Sequence, residues 1–331
     1  MAAPTRELSA PALLPLGGLD EARPVWTAAA ERSGVPFATW EWAAAWWRHL
    51  GHGRLLLSAW LDAQGRPRGV LPLYLGELDG RRAVRFIGHR QGDELGPVCA
   101  PGERAEGAAG LRRALEQLGD GFDVFVAHDV RPGELSAALP ESKLLRREPS
   151  PRIRLGEWEG FLAARSAQFR RQLRQRERRL EREFALSYRV TSDAERLDED
   201  MATLLRLHAA RWDGRSRSFA GAAADFHREV ARSALAGGWL RLQLLELDGR
   251  AVAALYNFRL GGIEWYYQAG RDPAFDRYSP GFVLMARSIR EAAQDGLSEY
   301  RLLRGGEAYK ARFGGEEACV ETLELARKSL S

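Results

Sequence analysis

The stretch GGEAYKARFGG, residues 305–315, sets Glu307, Tyr309 and Lys310 between two glycine pairs. A carboxylate, a phenol and an ammonium this close together supply a proton acceptor, a proton donor and a cation for a developing oxyanion. On spacing alone a surface loop with a solvated lysine is the favoured reading of the same stretch. Upstream, DRYSPGFVLMARSI starts a helical pattern, with Ser279 as N-cap and Pro280 at the first helical position. Arg277 adds a charge there, Ser279 a hydroxyl, and Gly281 a backbone that a ligand can approach closely, at a helix end that attracts anions. An ordinary Ser-Pro helix start is the other reading of the same residues. Between these motifs runs IEWYYQAG, where strand alternation puts Glu264, Tyr266 and Gln268 on one face and Trp265, Tyr267 and Ala269 on the other. Polar Gln268 beside Gly270 marks the first of these as the face of a cleft, although tyrosine pairs on strands more often pack than react.

Other chemistries are poorly served. The two cysteines, Cys99 and Cys319, are far apart, and no CxxC or Cys/His cluster suggests zinc. His49 and His52 have no acids at metal spacing, and His208 lies on an apolar stripe with Leu204 and Trp212, as a packed core histidine would. No metal is therefore expected. No Ser-His-Asp or Cys-His constellation is recognisable, so direct attack in a ternary complex is expected rather than a covalent intermediate.

The formal charge is +4, yet Arg165 to Glu183 holds eight arginines against three glutamates, so the rest of the chain is close to neutral. A nucleic-acid coat protein would spread its charge; this one concentrates it in SAQFRRQLRQRERRLEREF. On a helix, Phe169, Leu173, Leu180 and Phe184 fall within about 60° of one another, a stripe that packs against the protein rather than lying along DNA. The run is also too short for a coiled coil. Arg170, Arg174, Arg178 and Arg182 point away from the stripe. Arg176 falls inside it, and an unpaired guanidinium there is costly, so it is expected to be buried and paired with a carboxylate or phosphate.

The elements that must position these residues read in two rounds. PFATWEWAAAWWRHL is a helix with Thr39 as N-cap; RLLLSAW, GVLPLYL and RAVRFIG are strands; ERAEGAAGLRRALEQL is a helix and FDVFVAH a strand. LPESKLLRREPSPRIRL reads as the passage into the second half. There the arginine helix and the helix ending at Trp212 precede strands WLRLQLLEL, AVAALYNFRL and IEWYYQAG. The Ser-Pro helix follows, then strands SEYRLLR and ETLELAR. The parallel order of helices and β-meanders indicates a duplication. The expected division is a lobe at 1–150 and a second at 151–331 that carries the site.

With these motifs in place, the chain resembles the GNAT acyltransferase superfamily. More closely it resembles the two-lobed CelD/BcsL-type group linked to bacterial cellulose synthesis, with the Fem-type aminoacyl transferases as relatives. FRRQLRQRERRLE, LHAARW, YYQAGRDPAFDRYSPGFVLM and GLSEYRLLRGGEAYKARFG carry the resemblance. It implies a mixed α/β fold of two tandem GNAT-like lobes, each a mostly antiparallel sheet flanked by helices. The donor would sit between two central parallel strands, with its pyrophosphate at a helix N-terminus. It implies acyl-CoA (acetyl-CoA) as co-substrate on Arg277, Ser279, Gly281 and Gln268, and places Lys310 near the reacting carbonyl. Tyr309 would protonate the leaving thiolate, with Glu307 as the nearest acid to take the amine's proton. Tyr267, Arg174, Arg176, Arg211, Trp212 and Arg304 would meet the acceptor, an amine or a hydroxyl. Arg301 and Gly306 stand where the family usually has acids, so the acceptor is expected to differ from that of better-studied relatives.

An aminoacyl-tRNA donor is the alternative, but it needs a broad phosphate-tracking surface, and the excess charge here is mostly one helix. A non-catalytic partner in envelope or polysaccharide assembly is a further one. The opening MAAPTRELSAPALLPLGG lacks a signal peptide's basic and apolar regions, and no apolar run approaches the roughly 18 residues of a membrane span. A cytoplasmic protein without DNA or membrane insertion is expected.

Overall fold

The structure, a computed structural model, describes residues 11–330. Most of the segment read as lacking a signal peptide lies outside the described residues. No described helix is long and apolar enough to cross a membrane. The chain forms two compact units: one runs to Glu148 and includes the chain from Cys319 onward, and the other is Pro149–Ala318.

The first unit contains β1 (Ala12–Leu16), α1 (Leu19–Ser33), α2 (Trp40–His49), β2 (Arg54–Leu61), β3 (Pro67–Leu78), β4 (Arg81–Phe86), α3 (Arg104–Leu118), β5 (Val124–Val130) and β6 (Lys143–Pro149). The second contains β7 (Arg152–Arg154), α4 (Trp158–Ala163), α5 (Ala167–Glu183), β8 (Leu186–Val190), α6 (Ala194–Trp212), α7 (Ala222–Ala236), β9 (Leu240–Leu247), β10 (Arg250–Leu260), β11 (Ile263–Arg271), α8 (Pro280–Gln294), β12 (Glu299–Arg301) and α9 (Ala308–Phe313). The last strand, β13 (Cys319–Ala326), pairs antiparallel with β5. It therefore completes the first sheet, where the sequence pattern had assigned it to the second lobe.

Both sheets follow one plan. The first runs β1-β2-β3-β4-β5-β13-β6 and the second β8-β9-β10-β11-β12-β7. In each, the first four strands are antiparallel neighbours and the fourth and fifth are parallel, β4 with β5 and β11 with β12. Local chemistry sets the meanders. Asp79-Gly80 and Asp248-Gly249, both with positive φ, close β3–β4 and β9–β10, as two-residue hairpin turns require. α2 starts at Thr39, whose side chain accepts a hydrogen bond from Trp42 N, and it buries Trp42 and Trp46. α5 is capped by Ser166 and buries Phe169, Leu173 and Leu180, the expected stripe.

Several elements escape the pattern. β6 and β7 lie inside the stretch read as a passage, because β6 is nearly all exposed and charged and shows no alternation. α9 forms where a loop was expected, and β12 is only three residues long.

α6 packs directly on β11. A Cβ added at Gly270 would come within 2.5 Å of His208 N and 2.6 Å of the Leu207 carbonyl carbon. Both obstacles are backbone, so Gly270→Ala should force the two elements apart. It is expected to destabilise the protein by about 1–3 kcal/mol, read as a lower urea midpoint with unchanged m-value. Gly160→Ala, where no atom lies within 4 Å, serves as the neutral control.

Candidate active site

β11 pairs with β12 only through Ile263–Trp265 against Glu299–Arg301. A β-bulge then interrupts β11: Asn257 of β10 opposes Tyr266, while the next residue back, Tyr256, opposes Gln268. One extra residue reverses the alternation. Tyr266 and Ala269, three apart, now share a face, and with Arg271 they line a cavity of about 530 Å³ in the second unit. The end of α6 gives it Arg211 and Trp212, and the start of α8 gives it Ser279, Gly281 and Phe282. Glu307, Tyr309, Arg312 and Phe313 close it from the region of α9.

At one side the Tyr266 and Tyr309 hydroxyls are hydrogen-bonded to each other at 3.0 Å. Burial and the neighbouring phenol push the Tyr309 hydroxyl well above the usual tyrosine range, so it stays protonated at neutral pH. The Arg211 guanidinium lies over the rings of Trp212 (5.0 Å) and Tyr309 (5.1 Å) and donates to Ala269 O at 3.3 Å. His208, as its sequence position indicated, is a buried packing residue. Its Nδ1 is 3.1 Å from Ala269 O and its Nε2 is 2.9 Å from Ser216 Oγ. The carbonyl makes Nδ1 the donor, and burial pushes the imidazole pKa down to about 4.

At the other side is the start of α8. Ser279 occupies the N-cap position in the left-handed region, with φ 55°, and its side chain makes no capping hydrogen bond. Pro280 has no N–H, and a Cβ at Gly281 would meet nothing closer than Arg271 Cδ at 3.8 Å. The first turn is therefore open to a ligand on the cavity side. Phe282 lies beneath the guanidiniums of Arg312 (4.6 Å) and Arg176 (5.0 Å). Arg271 is paired with Asp276 at 2.8 Å.

Lys310 is not among the residues lining this cavity. It is 4 % exposed, and its Nζ donates to Leu303 O at 3.2 Å and to Arg304 O at 2.6 Å, beside Glu307 Oε2 at 3.0 Å. The third N–H of the ammonium reaches Gly305 O at 3.5 Å, so its hydrogen bonds go to three carbonyls and Glu307 is its ion-pair neighbour. This cage needs Gly305, whose φ is +119° and where a Cβ would come within 2.3 Å of Glu307 Oε2. Lys310, Gly305 and Gly306 line a second cavity of about 270 Å³, and Glu307 borders both cavities.

Of the residues singled out in the sequence, the structure gathers Tyr309, Glu307, Ser279, Gly281, Arg211 and Trp212 around one space. Others lie elsewhere. Arg277 is exposed and stacks on its neighbour Tyr278. Tyr267 stays on the face opposite Tyr266, as alternation places it, and packs there with His227, Tyr256 and Phe258, while the bulge takes Gln268 off the cavity face. Arg174 is exposed, and the Arg304 side chain does not line the cavity, although its carbonyl holds Lys310. Arg176 corrects an expectation: it is half-buried and pairs with no carboxylate among the described residues, and its Nη1 lacks a hydrogen-bond partner. The face of Phe282 takes the place of the expected acid, and Glu183 is engaged by Arg179 and Arg182 instead. Arg301 pairs with Glu299 at 2.8 Å, and Gly306 is exposed. Arg271, Arg312, Phe282 and Tyr266 were not assigned to the site from sequence; a bulge leaves no local mark by which alternation could be corrected. No group of His, Cys, Asp or Glu among the described residues could hold a metal ion.

Residues 167–311 match the family model described as an acetyltransferase (GNAT) domain. Similar solved structures span nearly the whole chain. FemX is 11% identical with a TM-score of 0.68, covering 95% of this chain and 97% of that one. L-PGS from Bacillus licheniformis is 11% identical at TM-score 0.56, covering 86% and 90%. A tandem GNAT protein from the clavulanic acid biosynthesis pathway is 13% identical at TM-score 0.51, covering 96% and 98%. No curated protein sequence matches. At these identities the likeness is one of fold, and the fold is that of tandem GNAT-like lobes.

Two outcomes follow from the buried groups. Lys310→Met removes the cation from its carbonyls and from Glu307, and should cost about 2–4 kcal/mol of stability. Tyr309→Phe, which loses one hydrogen bond, should cost only about 0.5–1.5 kcal/mol; chemical denaturation compares them. His208 has a folded pKa below its unfolded value, so the unfolded state binds the extra proton first. Its contribution is present above pH 6.5 and is lost as the pH falls towards about 4. His208→Asn should flatten the stability profile across that window.

Proposed function

We propose that the cavity of the second unit binds an acyl-CoA and transfers its acyl group directly to an amine. The observation that carries this reading is the joining, in one cavity, of an uncapped helix start and a hydroxyl pair. The start of α8, with Arg312 beside it, suits phosphate, because helix N-termini attract anions and guanidiniums pair with them. The Tyr266–Tyr309 pair suits a reaction that must deliver a proton in a partly buried place. The match of residues 167–311 to an acetyltransferase domain supports the same chemistry.

The reaction balances with the residues present. The amine nitrogen attacks the thioester carbonyl, an amide bond forms and the carbon–sulfur bond breaks. The departing thiolate takes a proton through Tyr309, whose neutral hydroxyl is backed by that of Tyr266. Glu307 takes the proton lost by the amine. Lys310 is a positioning residue on this account: its cage holds Glu307 and the loop after β12 in place. The charge pattern favours a small donor over tRNA. The cavity's cations are a few guanidiniums on aromatic rings, whereas a folded RNA needs a wide basic surface. The sequence resemblance to CelD/BcsL-type proteins supports an acceptor in envelope, exopolysaccharide or secondary-metabolite synthesis.

Calorimetry with acetyl-CoA and longer acyl-CoAs, followed by assay of thiol release with amine acceptors, tests the proposal. Tyr309→Phe should lower kcat by roughly 10²–10³-fold while donor affinity holds. Arg312→Ala should weaken donor binding, and exposed Arg277→Ala should do neither. Absence of binding by every acyl-CoA would sink the reading, and binding of charged tRNA in its place would move the donor to an aminoacyl-tRNA.

A further inference from the structure

Resting on that transferase reading, we propose that the acceptor amine also carries a carboxylate, and that Arg211 holds it. The cavity's charges divide unevenly. Asp276 is bound to Arg271 and Glu307 to Lys310. Arg211 forms no ion pair with any described carboxylate; its partners are the Ala269 carbonyl, the rings of Trp212 and Tyr309, and the neutral Tyr266 and Tyr309 hydroxyls. Arg312 meets Gln172, Phe282 and the like-charged Arg176, and forms no ion pair with a carboxylate among the described residues. Two guanidiniums in one cavity are thus left without a counter-charge.

These two cations mark different places. Arg312 shares Phe282 with Arg176 at the first turn of α8, where a donor's phosphates fit. Arg211 stands instead beside the Tyr266–Tyr309 hydroxyls and the bulged part of β11, where bonds would be made and broken. A carboxylate at this position would neutralise a partly desolvated guanidinium with paired N–H···O bonds. The indole of Trp212 and the phenol of Tyr309 hold the guanidinium plane in place for it. A simple amine would leave the charge uncompensated. The substrate class is therefore an amino acid or an amino-acid-like amine, with nitrogen and carboxylate close enough for one to reach the thioester while the other meets Arg211.

The test reads Arg211 itself. The full-length protein is treated with phenylglyoxal and the modified arginines are located by peptide mass spectrometry, in separate samples containing glycine, L-glutamate, L-lysine or L-phenylalanine, and their carboxamides. At least one free acid should slow modification of Arg211 fivefold or more while its carboxamide does not, and exposed Arg277 should react alike throughout. Arg211→Lys should then retain acetyl-CoA affinity and lose at least tenfold of the preference for acid over carboxamide in thiol release. Equal protection by acid and amide, protection by none of the acids, or protection by acetyl-CoA alone would each overturn the assignment. Acetyl-CoA binding is measured on the same protein by calorimetry. A failed donor titration removes the transferase reading, whereas intact donor binding without carboxylate protection removes only this inference.

Discussion

The second unit depends on how short the union of β11 and β12 is. Three residues on each strand pair, and a buried polar network pins that end. Glu264, with no exposed surface, is paired with Arg259 at 2.8 Å, and the Asn257 amide nitrogen lies 3.1 Å from Glu264 Oε1 and 3.2 Å from both the Ser288 and Tyr300 hydroxyls, which its two N–H groups share. These groups tie β10, β11, β12 and α8 together. Breaking one would strand a buried charge, so the union is held firmly where it exists. Past Trp265 the strands separate, the bulge redirects β11, and the space between them becomes the cavity. A sheet paired along its full length would have no such opening.

The first unit shows what the same plan does without that opening. Its β4 and β5 also pair in parallel over three residues, Ala83–Arg85 with Val124–Val126. There the chain between β4 and α3 turns back on the sheet. Leu95 N donates to Asp129 O at 3.2 Å, Val98 bridges to Val70, and Arg131 is clamped by Glu94 and Glu134. The cavity lined by Glu94–Cys99, Arg104 and Arg131 measures about 20 Å³. One topology is thus filled after the fourth strand in the first unit and open there in the second. The difference lies in what the segment after the fourth strand does.

Much of this was legible in the residues. Asp-Gly turns, the Thr39 cap and the Phe169–Leu173–Leu180 stripe are local, and each formed as its chemistry required. The motif around Tyr309 and the start of α8 converged on one cavity. Long-range features were not legible. The return of β13 to the first sheet depends on pairing with β5, almost two hundred positions away in sequence, and its alternating pattern fits either sheet. The bulge in β11 exchanged Gln268 for Ala269 on the cavity face, a change visible only in register. For Arg176, the cost of burial was read correctly as needing a partner, but an aromatic face can serve where an acid was expected. Lys310 likewise satisfies its charge on backbone carbonyls, which no sequence pattern displays.

Charge then sorts the cavity. Acids tied to Arg271 and Lys310 leave two cations free for ligands, one by α8 and one by the tyrosine pair, and the account requires a donor whose phosphates lie at the first. The most direct measurement is a crystal structure of the protein with coenzyme A. The account predicts phosphate oxygens against the first turn of α8, near Gly281 and Phe282, and sulfur within hydrogen-bonding reach of the Tyr309 hydroxyl. Coenzyme A bound away from α8, or a cavity without it at saturating concentration, would contradict it.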